Sequence, residues 1–258
     1  MVNCKILHLL SGARGASGLT VIIDVFRAFS LECYLYEFGA KLVRPVGSIE
    51  DAWALKEKIP DAVLVGERQG IKLEGFDFGN SPSQIEAAAD RIAGRVVIHT
   101  TSAGTQGIVN AQNAQEILTG SFVNAGAVAA YIRKTEEKAH IRQNDGGAAN
   151  TLQQEGEAEL PVSIVAMGTS AKVRAAEDDL CAEYIQSLIY GEELPPAFEQ
   201  RRQDLKNLDG KRFFDPSLSE HFPTKDYYMC IKKDIFPFVL RIGKDELGFY
   251  SEKIPVIF

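Results

Sequence analysis

An α/β fold, with a substantially parallel sheet covered by helices on both faces, is predicted from two features of this chain. Short apolar, β-rich runs alternate with helical patterns over most of its length, and polar residues recur directly after those runs. With 258 residues, 45% of them hydrophobic and 22 of them glycine, the chain can bury a sizeable core in one integrated domain.

The alternation sets in early. Leu19 to Asp24, built on Thr, Val and Ile, reads as a strand, Ala28 to Phe38 as a helix and Lys41 to Pro45 as a strand. An amphipathic helix follows at Ile49 to Lys58, then a short apolar strand at Ala62 to Val65, a helix at Gln84 to Asp90, a strand at Arg95 to His99 and a helix at Gly104 to Ala111. Glu116 to Leu118 reads as a further strand, Asn124 to Lys134 as a helix, Val162 to Met167 as a buried strand and Glu177 to Tyr190 as a helix. Pro195 to Leu208 and Lys225 to Lys233 carry helical patterns before a Phe-rich tail. Between the helix at 124–134 and the strand at 162–167, Gln143 to Glu159 has almost no large apolar residue. It is expected to be a mobile surface insertion, the alternative being a lid.

The net charge of -7 and pI near 5.3 argue against a nucleic-acid partner gripped by the overall field, while leaving room for a local basic cleft. Cys4, Cys33, Cys181 and Cys230 form no CxxC pair, which fits neither a structural zinc site nor a disulfide framework. No window approaches the roughly 20 apolar residues of a membrane span, and the N-terminal apolar run is short. The expectation is a soluble, cytoplasmic protein with no membrane partner; the sequence leaves a homo-oligomer open.

Four segments place polar groups directly after an apolar run: Asp24 and Arg27, Glu67 and Arg68, Thr100 to Ser102, and Gly168 to Ser170. In a parallel sheet these ends share one edge, so carboxylates, guanidinium groups and hydroxyls converge on one cleft. The segment VGERQGIKLEGFDFGNSP (Val65 to Pro82) is too polar and glycine-rich for core. Asp24, Glu67 and Asp178 offer the oxygen ligands that suit Mg²⁺ beside a phosphate. The competing reading has Asp24 capping the next helix and Glu177 to Asp179 complementing a helix dipole. Thr100 to Gly104, TTSAG, offers hydroxyls and amides to an anion, although Ser, Thr and Gly before a helix are normally just a cap. Arg27 and Arg68 each carry a flat fork for phosphate, carboxylate or sulfonate, or a surface ion pair. His99, within a strand, reads as a satisfied core residue. No Cys-x5-Arg loop, no second acid after Asp24 in a DxD pattern and no GxxxxGK[ST] loop is present. Metal-assisted attack by water on a phosphoryl group is the chemistry that remains.

These motifs resemble the ComB family of magnesium-dependent 2-phosphosulfolactate phosphatases. The resemblance runs through DVFRA (Asp24 to Ala28), GERQGIKLEGFDFGNSP (Gly66 to Pro82), TTSAGT (Thr100 to Thr105), GSFVNAGAVA (Gly120 to Ala129), EDDLCAEYI (Glu177 to Ile185) and, more loosely, DYYMCIKKD (Asp226 to Asp234). It implies a three-layer α/β/α fold with a mixed sheet, and hydrolysis of 2-phospho-3-sulfolactate to 3-sulfolactate and phosphate on a route to coenzyme M. Carried over by motif, Asp24, Arg27, Glu67, Arg68, Asn80, Ser81, Thr100, Thr101, Asn124 and Asp178 fall on matching positions. The chain departs from the family pattern at Ala103, where an asparagine is usual, and at Phe29, where a threonine is usual. Loss of polar groups beside a cleft alters which anion is accepted. The alternatives are therefore a phosphatase for another small 2-hydroxy-acid phosphate, or a paralogue that binds an anionic metabolite without turnover.

Overall fold

A computed structural model describes residues 2–145, 161–194 and 197–257. The first half of the chain forms β1 (Asn3–His8), α1 (Leu9–Gly15), β2 (Gly18–Ile23), α2 (Ala28–Glu37), β3 (Leu42–Pro45), α3 (Ile49–Lys58), β4 (Val63–Arg68) and β5 (Ile71–Lys72). Next come α4 (Pro82–Ala87), β6 (Val96–Thr100), α5 (Gly104–Asn110), β7 (Ala114–Gly120), α6 (Ala125–Asp145), β8 (Pro161–Ala166) and α7 (Ala176–Tyr190). The described chain closes with α8 (Phe198–Asp204), a 3-10 segment Asp209–Phe214, α9 (Thr224–Cys230), β9 (Phe238–Asp245) and β10 (Gly248–Pro255).

Among the described residues, ten strands join one mixed sheet in the order β1-β8-β2-β7-β9-β10-β3-β6-β4-β5. Two parallel blocks, β1-β8-β2-β7 and β3-β6-β4, flank the antiparallel hairpin β9-β10. Alternate residues of β2 show why helices must cover both faces. Leu19, Val21 and Ile23 join the core with Val128 and Ile132 of α6 and Leu180 and Ile185 of α7, whereas Ile22 packs with Ala13 of α1 and Ile108 of α5. β4 and β6 repeat the pattern: Val63, Val65 and Val97 face Leu31 and Leu35 of α2, and Leu64 and Ile98 face Ala52 and Leu55 of α3. The period-2 alternation of side chains thus yields a three-layer α/β/α arrangement.

Several details differ from expectation. The strand and helix at Asn3–Gly15 and the hairpin Phe238–Pro255 were not predicted, yet the hairpin occupies the centre of the sheet. Its residues alternate only partly, so the segment reads as a Phe-rich tail without a clear strand period. β4 extends through Glu67 and Arg68, which therefore lie within the strand. α6 runs on to Asp145, so the expected insertion begins inside a helix, and its remaining residues, 146–159, lie outside the described residues. The sheet is also not a single parallel edge. Three antiparallel pairings separate the blocks, so the two run in opposite directions. Residues at the carboxyl ends of β2 and β8 in one block and of β4 and β6 in the other nevertheless line one cavity.

Candidate active site

The cavity, about 300 Å³, is lined by residues at or just beyond the carboxyl ends of β2, β4, β6 and β8, together with Asn80, the N-terminus of α7 and residues of the segment 209–222. This is small for a ligand site. Asp24, Glu67 and Asp178 each give both carboxylate oxygens to backbone amides of neighbouring loops. Asp24 accepts from Ala28 N at 3.1 Å and Gly104 N at 2.9 Å. Asp178 accepts from Val25 N and Gly168 N, both at 2.8 Å. Gly168 sits at φ +66° in the turn after β8, a backbone conformation open to glycine. Glu67 accepts from Ser102 N at 2.7 Å, from the Ser102 hydroxyl at 3.1 Å and from Gly70 N. The acids therefore hold together the strand-end loops that they line, and the capping role expected for Asp24 coexists with a place in the cleft.

Burial pushes the Asp24 carboxyl up to about 6, and the nearby Glu67 adds to the rise despite the opposing amide hydrogen bonds. Asp178 is raised by burial and then by Asp24. Glu177, whose Oε2 is buried without a partner, is raised by burial and then by Asp178 and Asp209. Three mutually repelling carboxylates in one small cavity favour a bound cation. Among the described residues no three acids, histidines or cysteines form a ready-made metal cluster. One or two carboxylates with water and substrate oxygens complete a Mg²⁺ shell, and amide-bonded carboxylates keep lone pairs for that purpose.

Of the sequence-predicted residues, Asp24, Arg27, Glu67, Asn80, Ser102 and Asp178 line this cavity. Arg27 does so with its guanidinium engaged: Nη1 donates to Asp226 at 2.7 Å and to the His221 carbonyl at 2.8 Å, and Nη2 to the Gly70 carbonyl at 3.2 Å. Asn80 is oriented from behind, where its Oδ1 lies 3.1 Å from His99 Nε2, whose Nδ1 lies 3.0 Å from Glu32. One end of the Asn80 amide is thus held by His99, and the residue lines the cavity with the rest of its side chain. His99 is the satisfied core residue expected.

The other predicted residues are placed elsewhere. Arg68 donates to the Glu67 carbonyl and to Thr100 Oγ1 and lines an adjoining hollow with Thr101. Thr101 exchanges hydrogen bonds with Thr105 at the start of α5. Ser81 caps α4 and donates to Asp226. Asn124 is fully buried, accepts from Ser121 N at 3.0 Å and donates to the Thr119 carbonyl. Their motif positions are thus filled by turn-forming roles. Sequence reasoning missed Gln69, Gly70, Glu177, Arg212 and Phe222 as cavity residues. Glu177 was visible only as one of three adjacent acids, and Arg212 carried no local signal. The two family departures separate as well: Ala103 lines the cavity, whereas Phe29 is fully buried in the core.

Fold and site define the class, an α/β protein whose strand ends enclose an acidic, amide-braced cleft for a small charged molecule. The family described as 2-phosphosulpholactate phosphatase matches residues 6–245. A Clostridium acetobutylicum protein named probable 2-phosphosulfolactate phosphatase is 33% identical over 240 residues, covering 88% of this chain and 90% of its own. A Bacillus subtilis protein of the same name is 29% identical over 228 residues, 88% of each chain. The chain belongs to the 2-phosphosulfolactate phosphatase family, and so to the phosphoric monoester hydrolases. Among the described residues no helix is long and apolar enough to cross a membrane.

Proposed function

We propose that the chain is a Mg²⁺-dependent phosphatase that hydrolyses 2-phospho-3-sulfolactate to 3-sulfolactate and phosphate, as a cytoplasmic enzyme supplying a coenzyme M route. The observation that carries this reading is the convergence of Asp24, Glu67 and Asp178 on one cavity at the strand ends. Family membership supplies the reaction class, and the relatives' names supply the substrate.

Asp24 and one of its two acidic neighbours, Glu67 or Asp178, would hold Mg²⁺. Bound there, the ion would polarise the phosphoryl group and lower the pKa of attacking water. The chain's own residues do the positioning. Backbone amides of Gly104, Ser102 and Gly168 fix the carboxylates, so little reorganisation accompanies the reaction. Asn80, held from behind by His99, would offer its free amide end to a substrate oxygen, and Thr169 and Ser170 also line the cavity. Attack forms a P–O bond to water and breaks the ester P–O bond, leaving the 2-hydroxyl of the acid.

Hydrolysis of a different small 2-hydroxy-acid phosphate is a second reading, favoured by Ala103, which presents a methyl group to the cavity. The test is phosphate release from a panel of 2-hydroxy-acid phosphates with Mg²⁺ and with a chelator. Metal-dependent release that peaks on phosphosulfolactate is expected. A different best substrate would transfer the conclusion to the second reading, and no release by folded protein would make the chain a binding paralogue.

A further inference from the structure

Two cationic side chains line the cavity, Arg27 and Arg212, and their circumstances are opposite. Arg27 is ion-paired to a buried carboxylate and also donates to two carbonyls. Arg212 is half-buried and makes one hydrogen bond, from Nη2 to the Phe26 carbonyl at 3.3 Å. Its Nε is buried and has no partner. Among the described residues no carboxylate lies within ion-pair distance of it; Glu177 acts on it only through the field. The guanidinium carbon stands 5.1 Å from the Phe222 ring centroid and 5.6 Å from that of Phe213. Those rings hold the side chain in place and add cation–π attraction.

A buried donor without an acceptor has given up its water and received nothing in return. Such a donor on a fixed fork beside an otherwise acidic cavity is explained by an anion that arrives with the ligand. The carboxylates account for the phosphate end, through a cation. They repel the second acid group of a 2-hydroxy-acid phosphate, which therefore needs a cation of its own. We infer that Arg212 binds this second anionic group, carboxylate or sulfonate, and sets the preference for acid-bearing phosphoesters. The inference rests on the phosphatase reading for its substrate class, whereas the recognition of an oxyanion rests on the Arg212 geometry alone.

The experiment compares wild type with Arg212→Gln and Arg212→Lys on four phosphoesters: phosphosulfolactate, 2-phosphoglycerate, the phosphate ester of 2-hydroxyethanesulfonate, and glycerol 2-phosphate, which has no second acid. The ratio of kcat/KM on an acid-bearing substrate to that on glycerol 2-phosphate should fall about 10- to 100-fold in Arg212→Gln, the equivalent of about 1.5–3 kcal/mol for a charge-assisted hydrogen bond. The loss should fall mainly on KM. Arg212→Lys should recover part of it, because charge returns without the fork. Comparing the carboxylate and sulfonate substrates shows which group the fork takes. An unchanged ratio, whether activity falls equally on all four or on none, overturns the inference. Thermal protection by 3-sulfolactate and by glycerate, read on the same proteins with unfolding midpoints as the folding control, needs no turnover. Protection lost in Arg212→Gln sustains the anion site even if wild type releases no phosphate and the phosphatase reading fails; protection equal in wild type and variant removes it.

Discussion

Asp226 is the residue on which Arg27 depends. The pair is 2.7 Å apart with side-chain exposures of 2% and 0%, and Asp226 also accepts from Ser81 Oγ and Ser83 N. Asp226→Ala would strand a buried guanidinium, and a loss of about 3–5 kcal/mol in urea unfolding is expected. A loss below 1 kcal/mol would mean that Arg27 is not held by this pair and is available to substrate. Asp24 yields a prediction in pH. Its folded value of about 6 lies above the ordinary 3.8, so the folded state binds its proton more tightly than the unfolded state. The stability it contributes is complete below about 3.8 and lost as pH rises through 6. With chelator present, the stability of wild type relative to Asp24→Asn should therefore fall by about 1–2 kcal/mol between pH 5 and 7.5. A flat or rising difference in paired urea titrations would contradict the burial argument.

At the scale of elements, the loop after β4 shows how backbone shape makes the cleft. Gly70 adopts φ +82°, and a Cβ there would lie 2.1 Å from the Phe222 ring. Gly70→Ala combines left-handed strain with overpacking against a cavity wall. A destabilisation of about 2–3 kcal/mol and a loss of phosphate release are expected from unfolding and turnover assays on the same preparation; wild-type values in both would show that the loop and Phe222 move freely. α7 contributes differently. Its first turn carries Glu177, Asp178 and Asp179, and successive helical side chains diverge, so only the first two line the cavity, while Asp179 contacts His8 and Arg174.

For the whole molecule, the core explains the cysteines. Cys4, Cys33, Cys181 and Cys230 are free and buried in the apolar clusters on either side of the sheet. Burial pushes Cys4 up to about 11 and raises the other three. At pH 8 roughly one Cys4 in a thousand is thiolate, and none of the four is freely accessible. Native protein should take up no iodoacetamide within minutes, whereas unfolded protein should take up four equivalents by mass spectrometry. Rapid native labelling would place a thiol outside the core.

Much of the fold was readable because its signals are local. The buried run of β2, the alternating strands and helices to α7, and the polar residues after each strand follow from periodicities of two and 3.6 residues, which the chain carries by itself. The Val65 to Pro82 motif likewise marked the cleft and the family. Other features depended on partners distant in sequence. The tail became the centre of the sheet because β9 and β10 found β7 and β3, 120 or more residues away. Arg27 was turned from a free fork into a buried pair by Asp226, and Arg212 entered the cavity from the far end of the chain. Sequence specified which groups stand at strand ends; only tertiary packing decided which are spent on one another and which remain for a ligand, because burial and hydrogen-bond matching are properties of the assembled interior.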